Sequence, residues 1–584
     1  MAKQIYRILD DLSPSEAKLR NLPRKLLYNM NINEYGQLEK RAGYAKYNTN
    51  SIGASHKITG MHRFYKMATS SKEFLVNWNT SLYKLPDTGD HDAVALTNCP
   101  TLTADQDTYF ADFYNHCYIV NGSNTMMKYN MTNVRTVGIA PPDGNYLIFN
   151  SNIDGSLTPG IYYYRLTFVD EDGYESNGSV IWGTGLALAH PNDGNKMNIP
   201  TSTDTKIAKR RIYRTTAGGV VFYYEGEVAD NSTETYNSTI ADATIALNSV
   251  LHTDHDAPPS DPHLITKRRN RLYLGHDSEL CISHLSDREY FPAAWFIYTG
   301  SRQKIRGLIE ARADLAILTD DTLERLVNYD EDNFEMIPTF STEGCIAQRS
   351  LVNCDNLIFY LGFDGIYYFD GVATRKLNNP LNKYIKDNIV DACAYLSCGT
   401  FFDDKYILCY PKTGGTYPTE TVYYDSVNGN YGIYSFAFSC FSKWDKGSDG
   451  LQLKGGSNTI GQIYSVFSGL DDDGSAITAY DKPSPIDMGK PEVYKQFYSI
   501  FIKIKSTTAT TLTMNYSLDN ATEVTSQTKT IEANKTKWYR VGLGEGGIRG
   551  RSIQPRPLIS DKYYFEIHGY LISYEDEPFV EEIE

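Results

Sequence analysis

The sequence predicts an all-β protein, and three observations carry that reading. The first is composition: 46 tyrosines outnumber the 11 methionines and 24 phenylalanines combined. Tyrosine and threonine suit half-buried pleated surfaces, while plentiful asparagine and glycine suit turns. The second is a strand–turn–strand unit whose clearest copy lies in residues 356–371. Apolar runs at 357–361 and 366–369 flank Gly362-Phe363-Asp364-Gly365, and Asp370-Gly371 closes the unit. Asp-Gly between such runs signals a tight hairpin, because glycine accepts the positive φ that the turn demands. The third is recurrence of that unit with different residues. Arg271-Leu-Tyr-Leu-Gly275 precedes Glu279-Leu-Cys-Ile-Ser283, Tyr118-Ile-Val-Asn-Gly122 precedes residues 126–129, and Phe402-Asp403-Asp404-Lys405 leads into residues 406–410. Repetition of this kind is how propeller blades read in sequence, so the expected core is an irregular β-propeller.

A chain of 584 residues exceeds one compact core and implies roughly three or four domains. Residues 1–50 read as an N-terminal arm. Within it, Ser13-Pro14-Ser15-Glu16 is a capping-box pattern with proline at the first helical position, predicting a short helix to about Asn21. An extended stretch then runs through Lys40-Arg41 and Gly43-Tyr44. Residues 51–140 are the expected first part of the propeller. At Pro141-Pro142-Asp143-Gly144 the character changes. Residues 159–170 read as one long alternating strand, and 209–214 with 221–228 as a hairpin, which together predict an inserted β-sandwich of immunoglobulin or fibronectin-III kind over 141–258. The proline-rich stretch 252–263 closes the insertion as a linker. Blades resume over 259–482, interrupted by a helix over 380–394, where Leu381, Tyr384, Ile385 and Ile389 recur at helical spacing. Residues 483–584 form the expected C-terminal β-sandwich. Its strand at 497–506 places Phe497, Ser499, Phe501, Lys503 and Lys505 on one face and Tyr498, Ile500, Ile502 and Ile504 on the other. The acidic end, 575–584, is expected to fray.

Formal charge is −15, from 56 basic and 71 acidic residues. That argues against high-affinity wrapping of nucleic acid, which needs clustered Lys and Arg, and suits a surface past which DNA slides without sticking. The nine cysteines are scattered without a CxxC pair and are read as reduced, mostly buried thiols. The opening residues carry no apolar core of signal-peptide length and no run reaches transmembrane length, so the expectation is a chain made in the cytoplasm.

No stretch matches an HExxH, GxSxG or P-loop pattern, and the expectation is a non-enzymatic protein with no catalytic residues, cofactor or metal. Gly542-Leu-Gly544-Glu-Gly-Gly547 satisfies GxGxxG, but Ile-Arg-Gly-Arg-Ser follows it where a dinucleotide site needs a helix N-terminus. This segment reads instead as a flexible basic loop, with Arg549, Arg551 and Arg556 as candidate partner contacts. His252, Asp254, His255, Asp256, Asp261 and His263 are metal-capable, but their spacing matches no zinc or calcium loop and prolines dominate the segment, so it reads as a linker. Asp471-Asp-Asp-Gly474 lacks the alternating ligands and terminal Glu of a calcium loop and reads as a polar turn. Ser517-Leu-Asp519-Asn520 is similar to the Asp-box turn of sialidase-like propellers but lacks the downstream Trp, and also reads as a turn.

Four blocks together resemble the β-propeller nozzle proteins, or distal tail-tube proteins, of short-tailed bacteriophages. They are residues 29–44, ending Arg41-Ala-Gly43-Tyr44; Arg269-Asn-Arg-Leu-Tyr273 leading through Ser283 and Asp287 to Phe291-Pro292; Gly344-Cys345 with Ser350 and the hairpin at 363–371; and Asp473-Gly-Ser-Ala-Ile477 before Lys495-Gln-Phe-Tyr498 and Tyr516-Ser-Leu-Asp519. The inserted block is similar to sandwich modules of phage tail proteins. The resemblance implies a structural virion protein of the tail, assembled in the host cytoplasm as a homohexameric ring and serving as conduit and gate for DNA ejection. Its implied partners are further copies of itself, a portal-adaptor protein, tail fibre or tailspike proteins, the genomic DNA passing without specific binding, and the host envelope. The alternatives are a carbohydrate-binding or glycan-degrading propeller and a receptor-binding propeller, both at the tail periphery.

Overall fold

The computed structural model describes residues 4–7, 24–143, 148–181, 185–190, 193–285, 287–312, 314–328, 333–339, 341–445 and 450–577. The helix predicted from Ser13-Pro14-Ser15-Glu16 lies outside them. The described chain is nearly all β and divides into many small sheets.

Seven antiparallel four-stranded units follow one plan. The first comprises Ile58–Lys66, Ser71–Trp78, Ser81–Leu85 and Val94–Ala95, and the second spans Tyr109–Phe113 to Val134–Thr136. The third runs from Leu264–Arg268 to Ile297–Tyr298, the fourth from Gly307–Ala311 to Glu335–Pro338, and the fifth from Val352–Cys354 to Thr374–Lys376. The sixth runs from Cys398–Phe402 to Tyr431–Tyr434. The seventh takes three strands from Cys440–Asp445 to Ile463–Val466 and a fourth, Tyr44–Lys46, from the N-terminal arm. The first strand of each unit packs on the first strand of the next, and that of the seventh packs on that of the first.

Local chemistry explains the hairpins. Arg269-Asn270, Asp355-Asn356 and Asp403-Asp404 each place two consecutive residues at positive φ, the geometry of a two-residue turn whose twist matches the flanking strands. At the hairpin of the fifth unit, Gly365 has φ +143, and a Cβ there would lie 2.6 Å from Oδ1 of Asn382. That oxygen accepts a hydrogen bond from the Ile366 backbone N–H at 2.7 Å. The predicted helix is two pieces, an α-helix Pro380–Asn388 and a 3-10 helix Asp391–Leu396. Asn379 caps the first by accepting from the Leu381 N–H.

Between the second and third units stand three smaller sheets. Ile148–Leu157, Asp193–Asn198 and Thr235–Ser238 form one, Gly160–Tyr162 pairs with Leu186–Leu188, and Tyr164–Asp170, Ile207–Arg214 and Tyr223–Val228 form the third. The strand expected over 159–170 is thus shared between two sheets, breaking at Tyr163, while Tyr162, Tyr164, Leu166 and Phe168 keep one buried side.

At the C-terminal end two sheets share one apolar core containing Ile502, Leu512, Met514, Ile531, Val541, Ile559 and Ile572. One is built on the twelve-residue strands Lys495–Ser506 and Phe565–Asp576. The other continues the sixth unit: Tyr431–Tyr434 is followed by Arg24–Tyr28, Ile477–Pro483, Ile553–Asp561, Thr510–Leu518 and Val524–Ile531. Two expectations are corrected here. A register shift between Phe497 and Ser499 inserts a bulge, so Phe497 is buried with Ile500, Ile502 and Ile504 rather than facing away from them. Glu575 and Asp576, expected to fray, belong to the strand Phe565–Asp576; the residues after 577 lie outside the described chain.

Candidate functional site

A cavity of about 270 Å³ is lined by residues from the start of every one of the seven units, among them His62, Phe110, Ile265, Leu308, Leu351, Gly399 and Phe441. Glycine lets the strands converge there. A Cβ on Gly60 would lie 2.7 Å from the Thr108 carbonyl oxygen, and one on Gly307 would lie 2.5 Å from Leu351. Arg349 reaches into this space. Its Nη1 donates to the Ser439 carbonyl at 3.0 Å, Nη2 donates to the Thr59 carbonyl, and Asp107 stands 3.5 Å away. Burial alone would lower its pKa, but the Asp107 carboxylate raises it above the ordinary arginine range. The guanidinium is therefore a fixed positive charge tying the first and seventh units together. All nine cysteines are free and seven are buried. Burial pushes the thiols of Cys117, Cys281, Cys345, Cys354 and Cys440 up, which suits packing rather than nucleophilic chemistry.

The Arg41-Ala-Gly43-Tyr44 motif is a latch. Fully buried Arg41 donates to both oxygens of Asp472, at 2.8 and 2.6 Å, and through Nε to Asn29 Oδ1 at 2.8 Å. A Cβ on Gly43 would fall 1.7 Å from the Asp471 carbonyl oxygen, so only glycine permits the approach. The Tyr44 ring then meets Phe436, Phe438 and Tyr464 edge-on as its strand completes the seventh unit. Lys40, whose amine burial pushes down to about 8, donates to the carbonyls of Leu470 and Asp561. The polar turn read at Asp471-Asp-Asp-Gly474 is the keeper of this latch.

A second buried cluster joins the inserted sheets to the second unit. Lys128 Nζ lies 2.9 Å from Asp170, 2.7 Å from Asp172 and 3.0 Å from Glu289. The side chains of Lys128, Asp170 and Glu289 are 3% exposed or less, and Tyr118 donates to Glu289 as well. Burial alone would lower the lysine pKa, but Glu289, Asp170 and Asp172 raise it. His116 and Lys128 hold Asp172 well below the usual carboxylate range against the opposing effect of burial.

The three arginines singled out in the sequence do not share a flexible loop. Arg549 lies in the strand Ile548–Gly550 and Arg556 in Ile553–Asp561, while Arg551 sits in the turn between them. Arg549 donates to Glu577, and the guanidinium groups of Arg549 and Arg551 lie 3.9 and 4.6 Å from the Tyr494 ring centroid. Arg556 is elsewhere, paired with Glu523 and placed over Tyr480. The GxGxxG stretch joins the strands Lys537–Gly542 and Ile548–Gly550, so a strand follows it where a dinucleotide site needs a helix. Asp519 of the Asp-box-like turn accepts from the backbone N–H groups of Arg551 and Ser552. Signals for the Lys128 cluster were absent from the sequence, because Asp170 lies 42 and Glu289 lies 161 residues beyond the lysine.

His263, read as part of the linker, is a buried imidazole whose Nε2 donates to the Ile305 carbonyl at 2.7 Å. Burial pushes it down to about 4. Because the folded value lies below the unfolded value near 6.5, the unfolded chain takes up the proton first. The stabilisation is complete above pH 6.5 and is lost as pH falls towards about 4, an effect on the order of 3 kcal/mol. His263→Gln, which keeps a donor and does not titrate, is expected to flatten this part of the stability–pH curve in urea titrations; an unchanged slope would contradict the assignment.

Among the described residues no helix is long and apolar enough to cross a membrane. No family model matches the chain, and no curated protein matches it. Solved structures do match, at low similarity. The computationally designed Ika8 protein is 9% identical with a TM-score of 0.32, over 71% of this chain and 98% of its own. AztD from Citrobacter koseri is 9% identical with a TM-score of 0.28, over 65% of this chain and 88% of its own. An exo-β-1,3-galactanase from Phanerochaete chrysosporium is 8% identical with a TM-score of 0.18, over 92% of this chain and 100% of its own. Likeness at this level carries neither fold nor activity to the chain.

Proposed function

We propose that this chain is a structural tail protein of a short-tailed bacteriophage, a nozzle subunit built on a seven-bladed β-propeller with an inserted and a C-terminal β-sandwich. The cyclic packing of the seven units, with Tyr44–Lys46 completing the last, supports the propeller reading. One observation carries the functional reading: the motif blocks that resemble nozzle proteins are spent on joints of the scaffold. Arg41, Gly43 and Tyr44 form the latch with Asp472. Arg271 donates to the Ser283 carbonyl, and Phe291 is fully buried. Ser350 bonds the Leu361 N–H beside Cys345. Residues used this way build a rigid body, which supports a structural reading.

The axial cavity holds roughly nine water volumes and contains Arg349, so duplex DNA does not thread a single subunit. The conduit in this reading lies between copies, in a homohexameric ring whose acidic surface, with a chain charge of −15, discourages adhesion of the phosphate backbone. A portal-adaptor protein above, fibre or tailspike proteins at the side and the host envelope below are the proposed neighbours.

Immunogold labelling of particles from the source, combined with mass measurement of the purified protein, tests this. Label on the axis at the distal end of a short tail, and an assembly about six times the 65.9 kDa chain, are expected. Label on side fibres, or only on unassembled protein, would overturn the conduit and bring forward the glycan-binding or glycan-degrading reading, which a polysaccharide activity screen would then examine.

A further inference from the structure

The histidine-rich linker brings together more than its sequence spacing announced. One donor atom from each of His252, Asp254 and His255 lies within 4.8 Å of the others. His252 Nδ1 stands 3.8 Å from one oxygen of Asp254, and His284 Nε2, from the segment after the third strand of the third unit, stands 3.6 Å from the other. Both separations exceed hydrogen-bond length. Two ligand atoms sharing one tetrahedral zinc ion are about 3.3 Å apart at Zn–N and Zn–O distances near 2.0–2.1 Å; the exposed His252, whose ring now stacks on that of His255 at 4.7 Å, must swing out of that stack to bring the set to coordination distance.

The outer contacts fit as well. His255 Nδ1 lies 3.0 Å from the backbone carbonyl of Glu175 and donates to it, which leaves Nε2 as the free lone pair. A ligating histidine is held in this way when its other nitrogen bonds a carbonyl. The ring is fixed by stacking on Tyr290 at 3.8 Å. Nδ1 of His284 is buried without a hydrogen bond. An unpaired buried N–H costs more than an unpaired lone pair, so the proton of that ring belongs on Nε2, directed at Asp254. His284 is then a positioning residue for the carboxylate rather than a ligand.

We propose that His252, Asp254 and His255 bind one Zn²⁺ ion, with water at the fourth position and with Glu175 and His284 as outer-shell partners. Two imidazoles and a carboxylate are a borderline donor set of the kind zinc prefers. Bound there, the ion clips the linker to the inserted sheets through Glu175, independently of any role in a tail.

The test uses the full chain, stripped with chelator and titrated with ZnCl₂ by calorimetry, with bound metal counted by mass spectrometry after dialysis. The wild type is expected to take up one equivalent and to melt at higher temperature with zinc than without. His252→Ala/His255→Ala is expected to lose that equivalent and the zinc-dependent rise in melting temperature, from a lower metal-free value because the His255 stack on Tyr290 and its bond to Glu175 are lost as well. His284→Gln is expected to weaken binding about 10-fold or more. The second cluster of this kind, His62, Asp112 and Cys117, supplies the control: Cys117→Ser is expected to keep the equivalent. No uptake by the wild type, or retention by the double variant, overturns the proposal. So does a thiolate charge-transfer band on Co²⁺ substitution, since that would place the ion at Cys117.

Discussion

Lys128→Met is expected to destabilise the protein by about 3–5 kcal/mol, the cost of removing one partner from a buried ion cluster. The lysine faces Asp170, Asp172 and Glu289 at 2.7–3.0 Å, and methionine fills similar space without charge. Burial already raises the pKa of Glu289, so that carboxyl protonates readily once the ammonium is gone. Asp170 keeps the bonds it accepts from the backbone N–H groups of Asp172 and Tyr174 but loses the partner of its second oxygen. The loss should appear as a lower urea midpoint and as faster proteolysis between the second unit and the inserted sheets. Glu289→Gln in the same background should recover part of the loss, because a neutral amide needs neither the lysine nor a proton taken up on folding. A change under about 1 kcal/mol would place the cluster among ion pairs of negligible net worth.

Arg41→Met is the second large effect, again about 3–5 kcal/mol. Arg41 has no exposed surface and Asp472 is 13% exposed, so the orphaned carboxylate gains little from water. The consequence is local: Tyr44–Lys46 should leave the seventh unit, exposing the edge strand Ile463–Val466 to hydrogen exchange. Gly43→Ala should release the same strand by a different route, through the 1.7 Å approach of its Cβ to the Asp471 oxygen. The two substitutions act on one latch, so their combined effect should fall short of the sum of each alone. Full additivity would mean that arm and seventh unit hold together for another reason. If the latch does close a propeller, its loss should also loosen the first unit, whose first strand packs on that of the seventh.

Which parts were legible in the sequence follows from the range of the interactions involved. Hairpins were readable because turn type depends on adjacent residues: Asp403-Asp404 and Arg269-Asn270 place positive φ where the flanking runs need it. The helix at 380 was readable from the helical spacing of Leu381, Tyr384 and Ile385, and its early end at Asn388 was not. The alternation at 497–506 pointed to the right strand but put Phe497 on the wrong face, since a bulge is decided by the partner strand. The three arginines near 550 were read from composition as a loop; pairing of Ile548–Gly550 with Lys495–Ser506 makes much of that stretch sheet instead.

By itself, then, the sequence determined the all-β class, the short strand–turn–strand units, the change of character near residue 141 and the reduced state expected of its cysteines. Each is set by neighbours along the chain. Tertiary structure alone decided the order in which the seven units meet, the loan of Tyr44–Lys46 to a unit about 400 residues later, the Lys128 cluster and the gathering of His252, Asp254, His255 and His284. Those contacts join residues far apart in sequence, and their strength comes from exclusion of water, which no local pattern of residues encodes.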